Sequence, residues 1–352
     1  MNRTVSGRLA YADLLRVLAV MAAVVLSVAE GWLGQTAVGG TNWTVMCVYS
    51  ALTRWCVPMF AMLSGAFLLD PKKSVRARDL ALKYILRILV AMLVWGVLYL
   101  LAERGSFTWA GVKSALLRIL WADAPDHFWF LYVMLGLYLV TPILRAFVRG
   151  ASRGGLHWFL LLAFLLGCLL PTLQALFPGQ TALASAWVGR MEIRVVLGYV
   201  GYYVAGYYLK NYTLGRIAEF SIYILGILGA VATVWGTVVL SARQGVRSTL
   251  LLDWLSPNVA LMAAAVFVLF RYVLGISDER SRRQRLSGVA RISFGIYLLH
   301  AFFLLALRWL GISTLSFDPI ISVPVLSAGV FLCSFVVAWL LSKIPLLGRF
   351  LT

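Results

Sequence analysis

Long apolar runs separated by short polar loops form the main pattern of the chain, and they predict membrane-spanning helices. A helix needs about 20 apolar residues to cross the hydrocarbon core of a bilayer. Ten runs reach this length, the sixth only barely, and they cover residues 9–29, 43–69, 81–101, 128–148, 156–177, 193–209, 217–241, 256–275, 291–310 and 322–345. Because no low-complexity linker divides them, the pattern predicts an all-α, polytopic membrane helix bundle with about ten transmembrane helices and a single domain over residues 1–352.

Three details refine this pattern. The stretch TWAGVKSALLRILW, residues 108–121, is apolar but short and carries Lys113 and Arg118, which favours a helix lying at the outer membrane interface. Pro58 lies within the second run and predicts a kink there, because proline removes a backbone hydrogen bond. The first run is too long for a signal-peptide core and has no small-residue cleavage site, so we expect it to remain as a membrane anchor.

Composition and charge agree with membrane insertion. The chain is 62% hydrophobic and 12% charged, with a mean hydropathy of +0.90, whereas soluble domains are about half apolar and a quarter charged. A net charge of +18 could suggest nucleic-acid binding. The basic residues instead cluster in short loops on one side of the predicted bundle, chiefly around residues 72–83 and 280–291. This asymmetry argues against nucleic acid and places those loops and both termini in the cytoplasm.

The first run, from Tyr11 to Trp32, has Asp13 and Glu30 near its ends and two out-of-place polar side chains between them, Arg16 and Ser27. Eleven helical residues make three turns plus about 20°, so the two side chains share one face about 16 Å apart. An arginine at this depth either snorkels to the cytoplasmic interface beside Asp13 or binds an anion in an internal cavity. This face is the first candidate site.

Further cations fall inside or next to the predicted spans. Arg54 lies near the middle of the second run, where it either pairs with a carboxylate or lines a passage. Arg87 and Lys83 in the third run, with Lys72 and Lys73 in the preceding loop, predict a cationic patch at the cytoplasmic mouth. Such a patch fits either anionic membrane lipid or the phosphates of a cytoplasmic donor.

Histidine is scarce, and each of the three residues has a structural alternative. His127 opens the fourth run, His300 lies inside the ninth and His157 begins the fifth. A single histidine on an apolar face usually serves as a structural hydrogen-bonding group, although His127 and His300 would also qualify as a base if packing brought them to the site. The sequence has no HExxH, GxSxG, P-loop or Rossmann motif and no metal-ligand cluster, so we expect no metal. Its four cysteines, which form no CxxC pair, are expected to be buried and unreactive.

Five pieces of sequence, taken in order, carry a resemblance to a known family. They are YADLLRVLAVMAAVVLSVAE, RWCVPMFAMLSGAFLL, HFWFLYVMLGLYLVTPILR, GYVGYYVAGYYL and ISFGIYLLHAFFL. Together they resemble the acyltransferase family 3 proteins, ten-helix bacterial membrane acyltransferases, over nearly the whole chain. The resemblance implies a multi-pass protein of the bacterial inner (cytoplasmic) membrane. It also implies transfer of an acetyl or other short acyl group from cytoplasmic acyl-CoA, usually acetyl-CoA, to a hydroxyl of a surface or lipid-linked saccharide.

The family motif in the first helix is an arginine, ten residues and then a histidine proposed as the catalytic base. Arg16 matches the arginine, but Ser27 stands at the histidine position. In the third helix the family has two basic residues three apart; Arg87 matches the second, while Tyr84 occupies the first and Lys83 lies beside it. The resemblance implies catalytic positions at Ser27 and Arg16, with His127 and His300 as alternatives, and donor binding or passage by Arg87, Lys83, Arg54, Lys72 and Lys73.

Serine at position 27 calls the activity of this chain into question. A serine hydroxyl is not a general base near neutral pH, and it is a nucleophile only when an activating base lies in reach. Glu30 is the nearest candidate in the sequence. We therefore expect an O-acyltransferase impaired at position 27, by natural divergence or by engineering. The alternatives are a glycan or acyl-group transporter and a catalytically silent membrane scaffold.

Overall fold

The computed structural model describes residues 10–105, 107–121, 123–191, 198–273 and 285–352, and within these ranges every regular secondary-structure element is a helix. In chain order the helices are α1 (Ala10–Gly31), α2 (Thr41–Thr53), α3 (Cys56–Leu68), α4 (Ala77–Arg104), α5 (Trp109–Leu120), α6 (Trp129–Gly150), α7 (Arg153–Leu176), α8 (Pro178–Met191), α9 (Val200–Asn211), α10 (Arg216–Gln244), α11 (Pro257–Tyr272), α12 (Arg285–Trp309), α13 (Pro319–Ser342) and α14 (Pro345–Leu351). Nine stretches of the described chain, with α2 and α3 counted together, are long and apolar enough to cross a membrane. The prediction of an all-α, multi-pass membrane bundle is confirmed.

Helix α1 lies at the centre of the bundle, and this position follows from its small and apolar side chains. It packs against α2, α3, α11, α12 and α13. Leu15, Ala19 and Val20 are fully buried in the main core cluster. Small residues allow neighbouring backbones to approach closely within a membrane, where van der Waals packing holds helices together. The polar residues of α1 are therefore surrounded by other helices.

The second predicted span is two helices rather than one kinked helix. Helix α2 ends at Thr53 and α3 begins at Cys56, so the interruption lies before Pro58 and not at it. Proline has no backbone N–H, so the carbonyl of Arg54, four residues earlier, loses its normal helical donor. The helical hydrogen bonds resume with the N–H of Met59 donating to the carbonyl of Trp55 over 3.1 Å.

The sixth predicted span, residues 193–209, corresponds to α9, which has only 12 residues. Residues 193–197 of that prediction lie outside the described residues. The Tyr202 hydroxyl donates to the carbonyl of Trp254 over 2.6 Å, and the Trp254 ring lies 4.5 Å from the guanidinium of Arg54, which precedes α3. At the other end of α9, Lys210 pairs with Asp70, which follows α3, over 2.6 Å. Helix α9 therefore runs beside α3 along the length of α3.

Two glycines allow α3 and α9 to touch through their backbones. A Cβ atom added to Gly65 would lie 1.9 Å from the backbone oxygen of Tyr203, and one added to Gly206 would lie 1.8 Å from that of Met62. Small residues at such a crossing permit close packing of helices that have no hydrophobic driving force within lipid. This contact fixes the position of the loop that follows α3.

Helix α5 matches the short amphipathic segment predicted for residues 108–121. Its Ala115 and Ile119 are buried, whereas Trp109 and Leu120 are exposed. Ile119 packs over Gly96 of α4. Helices α8 and α14 were not predicted, and α8 buries none of its residues.

Both ends of the described chain lie at one end of the bundle. Arg87 of α4 donates to the backbone oxygen of Thr352 and lines the same cavity as Arg16 of α1, as expected for two termini on one side. The arginines at positions 3, 8, 194, 280, 282 and 283 lie outside the described residues.

The expectation of four buried cysteines is wrong for Cys333. Cys47, Cys56 and Cys168 are buried, but Cys333 is exposed, and all four thiols are free. The reason is that α13 covers the bundle with one face only and turns the other away, with Leu332 likewise exposed.

Candidate active site

A cavity of about 540 Å³ lies where α1, α3, α4, α6 and α12 meet, at the end of the bundle where α1 begins. Its cationic lining residues are Arg16, Lys73, Lys83, Arg87 and Arg291. Among the described residues that line it there is no aspartate or glutamate. The rest of the wall is largely apolar and aromatic. The cavity therefore suits a molecule that is anionic at one end and apolar along the remainder.

Arg16 lines this cavity from the second turn of α1. Its Nη1 donates to Asp13 Oδ1 over 3.3 Å, and its guanidinium lies 6.0 Å from the ring centroid of Phe67. The side chain is 32% exposed. The local pairing with Asp13 and the location in an internal cavity, which were alternatives in the sequence, therefore occur together.

Helix α4 brings both Lys83 and Arg87 to the cavity. A π turn over Leu80–Ile85 precedes Arg87; such turns change how side chains are aimed and are frequent at functional sites. Lys83 pairs with Asp79 over 2.8 Å. Arg87 bonds the backbone oxygen of Thr352, while its Nε is buried with no hydrogen-bond partner in the described part of the chain. Tyr84 stands where the motif described above has its first basic residue, and Lys83 beside it supplies a second cation next to Arg87.

The loop between α3 and α4 is fixed by two cations from other helices. Lys210 of α9 donates to Asp70 Oδ2 over 2.6 Å, and Arg145 of α6 donates to loop carbonyls that include that of Lys73. Lys73 therefore lines the cavity, whereas the Lys72 side chain is not part of its wall. Burial, together with the neighbouring charge of Lys210, lowers the pKa of Lys73, because both disfavour another positive charge.

The fold brings Ser27 into contact with His300, from the opposite end of the sequence. Ser27 Oγ lies 3.1 Å from His300 Nε2, and His300 Nδ1 contacts the backbone oxygen of Tyr297. A carbonyl oxygen only accepts, so the network assigns the ring hydrogen to Nδ1 and leaves a lone pair on Nε2. Ser27 is then the donor to His300, with the oxygen of Ala23 at 2.9 Å as its alternative acceptor. An imidazole thus reaches position 27 from α12.

Tyr297 connects this pair to the cavity. Its side chain forms part of the cavity wall, and its backbone oxygen holds His300. Its hydroxyl donates to the backbone oxygen of His127 over 2.6 Å. One residue of α12 therefore contacts both the cationic cavity and the histidine beside Ser27.

His127 lies next to the Ser27–His300 pair. Its ring centroid is 6.0 Å from that of His300 and 4.5 Å from that of Tyr99. Its Nε2 is buried and has no hydrogen-bond partner among the described residues. Burial, and to a smaller extent His300, lowers the pKa of His127 to about 3, so this ring is neutral near pH 7.

Arg54 lies away from the cavity, in an ionic cluster at the break between α2 and α3. Its Nη2 donates to Glu30 Oε1, and Arg247 donates to the same oxygen. That oxygen also accepts from Ser50 Oγ over 2.8 Å. The structure therefore favours the carboxylate-pairing interpretation of Arg54. Because Glu30 is held by two guanidinium groups, it is not placed as a base for Ser27.

Sequence reasoning missed Tyr297, Arg145 and Arg247. Tyr297 stands three residues before His300, which places both on one helix face. This spacing could have marked Tyr297 as a neighbour of His300. Arg247 lies between two apolar runs, and no local pattern marks it as a partner of Arg54. No local pattern marks Arg145 as the residue that holds the loop before α4.

A family model described as an acyltransferase domain matches residues 9–342. That range contains every residue that lines the cavity and both members of the Ser27–His300 pair. No curated protein and no solved structure gives a significant match.

Proposed function

Because the chain belongs to acyltransferase family 3, we propose that it transfers an acetyl or short acyl group from cytoplasmic acyl-CoA to a hydroxyl of an extracytoplasmic saccharide. The observation that carries the proposal is one continuous arrangement of residues. Tyr297 lines the cationic cavity, and its backbone oxygen holds a histidine against Ser27. Membership of the family supports a membrane acyltransferase in general, and this arrangement supports the donor and the base.

The donor is proposed to bind in the cavity with its phosphates on the cations. Guanidinium groups suit phosphate because their planar forks match its oxygens. Arg87 is well suited because its Nε is buried and has no partner in the part of the chain that the structure describes, and Lys73 is held nearby by the anchored loop. Aromatic side chains such as Phe67 and Phe294 complete the wall, which fits the less polar arm of coenzyme A. Arg54 is not included, because it is bound to Glu30.

His300 is proposed to supply the imidazole that the family motif places at position 27. Its Nε2 carries a lone pair directed at Ser27, and its Nδ1 is held by the carbonyl of Tyr297. An oriented neutral imidazole is a suitable general base near pH 7. On this basis we propose that the chain is active despite Ser27. His127, 6.0 Å away between ring centroids, helps to shape the pocket around His300.

The acceptor is proposed to reach Ser27 from the side opposite the cavity. Ser27 follows Arg16 by eleven residues, or about 16 Å along the helix. Beyond Ser27, at the Arg54 cluster, the rings of Trp129 and Trp254 stack with centroids 5.7 Å apart. Both rings are partly exposed. An aromatic surface of this kind is suited to the apolar face of a sugar ring, which supports a saccharide acceptor.

The donor assignment is tested by measuring acetyl-CoA binding to the purified chain in nanodiscs. Arg87→Glu removes a charge-assisted hydrogen bond and adds a repelling charge, so affinity should fall by at least about tenfold. Lys113→Glu is the matched control, because it makes the same charge change on exposed α5. Equal acetyl-CoA affinity in the two variants would contradict a donor site at this cavity.

The reaction is tested in proteoliposomes with labelled acetyl-CoA outside and glycan extracted from bacterial envelopes inside. Enzyme activity predicts release of coenzyme A and label in the glycan fraction. Movement of glycan across the membrane without coenzyme A release would favour the transporter instead. Binding of acetyl-CoA without release or movement would favour the silent scaffold. Either of these outcomes would reject the proposed reaction.

A further inference from the structure

The contact between Ser27 and His300 has the elements of an activated nucleophile. A serine hydroxyl attacks a carbonyl when an adjacent base accepts its proton, and the base needs a third group to orient it. Here the hydroxyl lies 3.1 Å from His300 Nε2, and the Tyr297 carbonyl orients the ring through Nδ1. The geometry therefore provides a nucleophile, a base and an orienting acceptor.

The surroundings of the pair favour this role over a purely structural hydrogen bond. His300 is only 2% exposed, so the base is shielded from bulk water. Ser27 is partly exposed, so it is the more accessible residue of the pair. The hydroxyl has one hydrogen, which it can donate either to His300 Nε2 or to the carbonyl of Ala23 one turn earlier, 2.9 Å away. The Ala23 carbonyl alone would satisfy a helical serine, so the approach of His300 is not needed for that purpose.

The position of Ser27 suits a relay across the membrane. From Ala10, the first residue of α1, Ser27 lies 17 residues along, or about 26 Å at 1.5 Å per residue. The hydrocarbon core is about 30 Å thick. An acyl group attached to Ser27 would therefore have covered most of the distance from the donor side to the acceptor side.

We propose that Ser27 carries the acyl group as a covalent ester between donor and acceptor, with His300 as its base. This inference rests on the proposed function. Ser27 Oγ attacks the thioester carbonyl while His300 Nε2 takes the hydroxyl proton; the C–S bond breaks, and the sulfur of coenzyme A leaves with that proton. His300 Nε2 next takes the proton of the acceptor hydroxyl, whose oxygen attacks the ester. The bond to Ser27 breaks, and Ser27 Oγ regains the proton from His300.

The relay is tested without an acceptor, by mixing the purified chain with excess trideuterated acetyl-CoA. The expected result is a burst of about one coenzyme A per chain, followed by slow hydrolysis. Mass spectrometry of the peptide containing Ser27 should show a trideuterated acetyl group on that residue. Labelled lysine alone, or a linear release of coenzyme A with no label at Ser27, would overturn the relay.

Variants separate the relay from its rival, in which His300 activates the acceptor directly. Ser27→Ala should carry no label, and its rate of coenzyme A release should fall by at least about a hundredfold. His300→Gln should show the same two losses. Ser27→Cys should keep a label, now as a thioester cleaved by neutral hydroxylamine. Ser334→Ala is the matched control, because Ser334 also bonds the carbonyl one turn earlier, over 2.7 Å, and should keep both label and release.

The outcomes distinguish this inference from the proposed function. If, with the saccharide acceptor present, Ser27→Ala releases coenzyme A as fast as the unaltered chain, the relay is rejected and the acyltransferase proposal stands with His300 as a direct base. If the unaltered chain binds acetyl-CoA but releases no coenzyme A even with the acceptor present, the proposed reaction itself is rejected, and the relay with it.

Discussion

Glu30→Gln is expected to destabilise the bundle strongly, because it leaves two arginines without their carboxylate partner. Glu30 Oε1 accepts from Arg54, Arg247 and Ser50, so the cluster has a formal charge of +1 that the substitution raises to +2. The Arg54 side chain is 8% exposed, while those of Arg247 and Glu30 are 30% and 28% exposed. Removing one partner of a buried ion pair costs about 3–5 kcal/mol. Partial exposure screens the Arg247 contact, so we expect a loss of about 3 kcal/mol.

A double-mutant cycle measures this quantity and its cause. The free energy of unfolding is obtained by titrating the chain from mixed micelles into SDS, for Glu30→Gln, Arg54→Met and the double variant. Because Arg54→Met removes the most deeply buried of the stranded charges, the double variant should be more stable than Glu30→Gln alone. Asp123→Asn is the control, since its partner Arg118 and Asp123 are 36% and 60% exposed, and its loss should be much smaller than that of Glu30→Gln.

Two results would refute this reasoning. The first is a loss for Glu30→Gln no larger than that for Asp123→Asn, which would mean that water reaches the cluster and screens it. The second is a double variant less stable than Glu30→Gln, which would mean that Arg54 stabilises the fold through packing and not through its charge.

Two further predictions concern α3 and the loop after it. Gly65→Ala should lower the free energy of unfolding by about 3 kcal/mol, because the new Cβ would lie 1.9 Å from a backbone oxygen of α9. Gly136→Ala is the control and should not be destabilised, because a Cβ at Gly136 would have nothing within 4 Å. Equal SDS midpoints for the two variants would contradict this prediction. Burial opposes the charge of Asp70, but hydrogen bonding from Lys210 prevails and lowers the pKa of that carboxyl. The stabilisation that ionised Asp70 provides is fully present above the pKa of this carboxyl in the unfolded chain, about 3.9. It is lost as pH falls through the lower pKa in the folded chain. Asp70→Asn should therefore lower the thermal midpoint at pH 7, and the midpoint of the variant should fall less steeply on acidification than that of the unaltered chain. A difference in midpoint between the two chains that does not vary with pH would contradict this.

The fold was largely predictable because apolar runs of membrane length have few alternatives. The runs located the long helices, and the short amphipathic stretch around Lys113 located α5. The break at residues 54–55 was predicted only as a kink at Pro58, since the sequence shows the proline but not the ionic cluster that stabilises a full interruption. Among the described residues, α9 coincides with the predicted sixth span from Val200 onward. Apolarity marks what is buried, and here the contact of α9 with α3 at Gly65 and Gly206 accounts for that burial.

The candidate site was predictable in its members but not in its pairings. A polar residue in an apolar run is unusual enough to single out Arg16, Ser27, Arg87 and His300. Which of them touch depends on how α1 packs against α12, a contact between residues 273 positions apart. Local sequence therefore ranked His300 only as an alternative, although the fold gives it the closest approach to Ser27.

The pairing also changes what a histidine at position 27 is expected to do. His300 is 2% exposed and already 3.1 Å from the Ser27 oxygen, so a second imidazole at position 27 would have to displace it, and overpacking a filled site costs about 1–3 kcal/mol. Ser27→His alone should therefore lower coenzyme A release, even though it restores the family motif. Combining it with His300→Ser removes the crowding and returns one imidazole to the site from α1, so the double variant should release coenzyme A faster than either single variant. Faster release by Ser27→His alone than by the unaltered chain would show that Ser27 is a defect, and that His300 does not serve as the base of this chain.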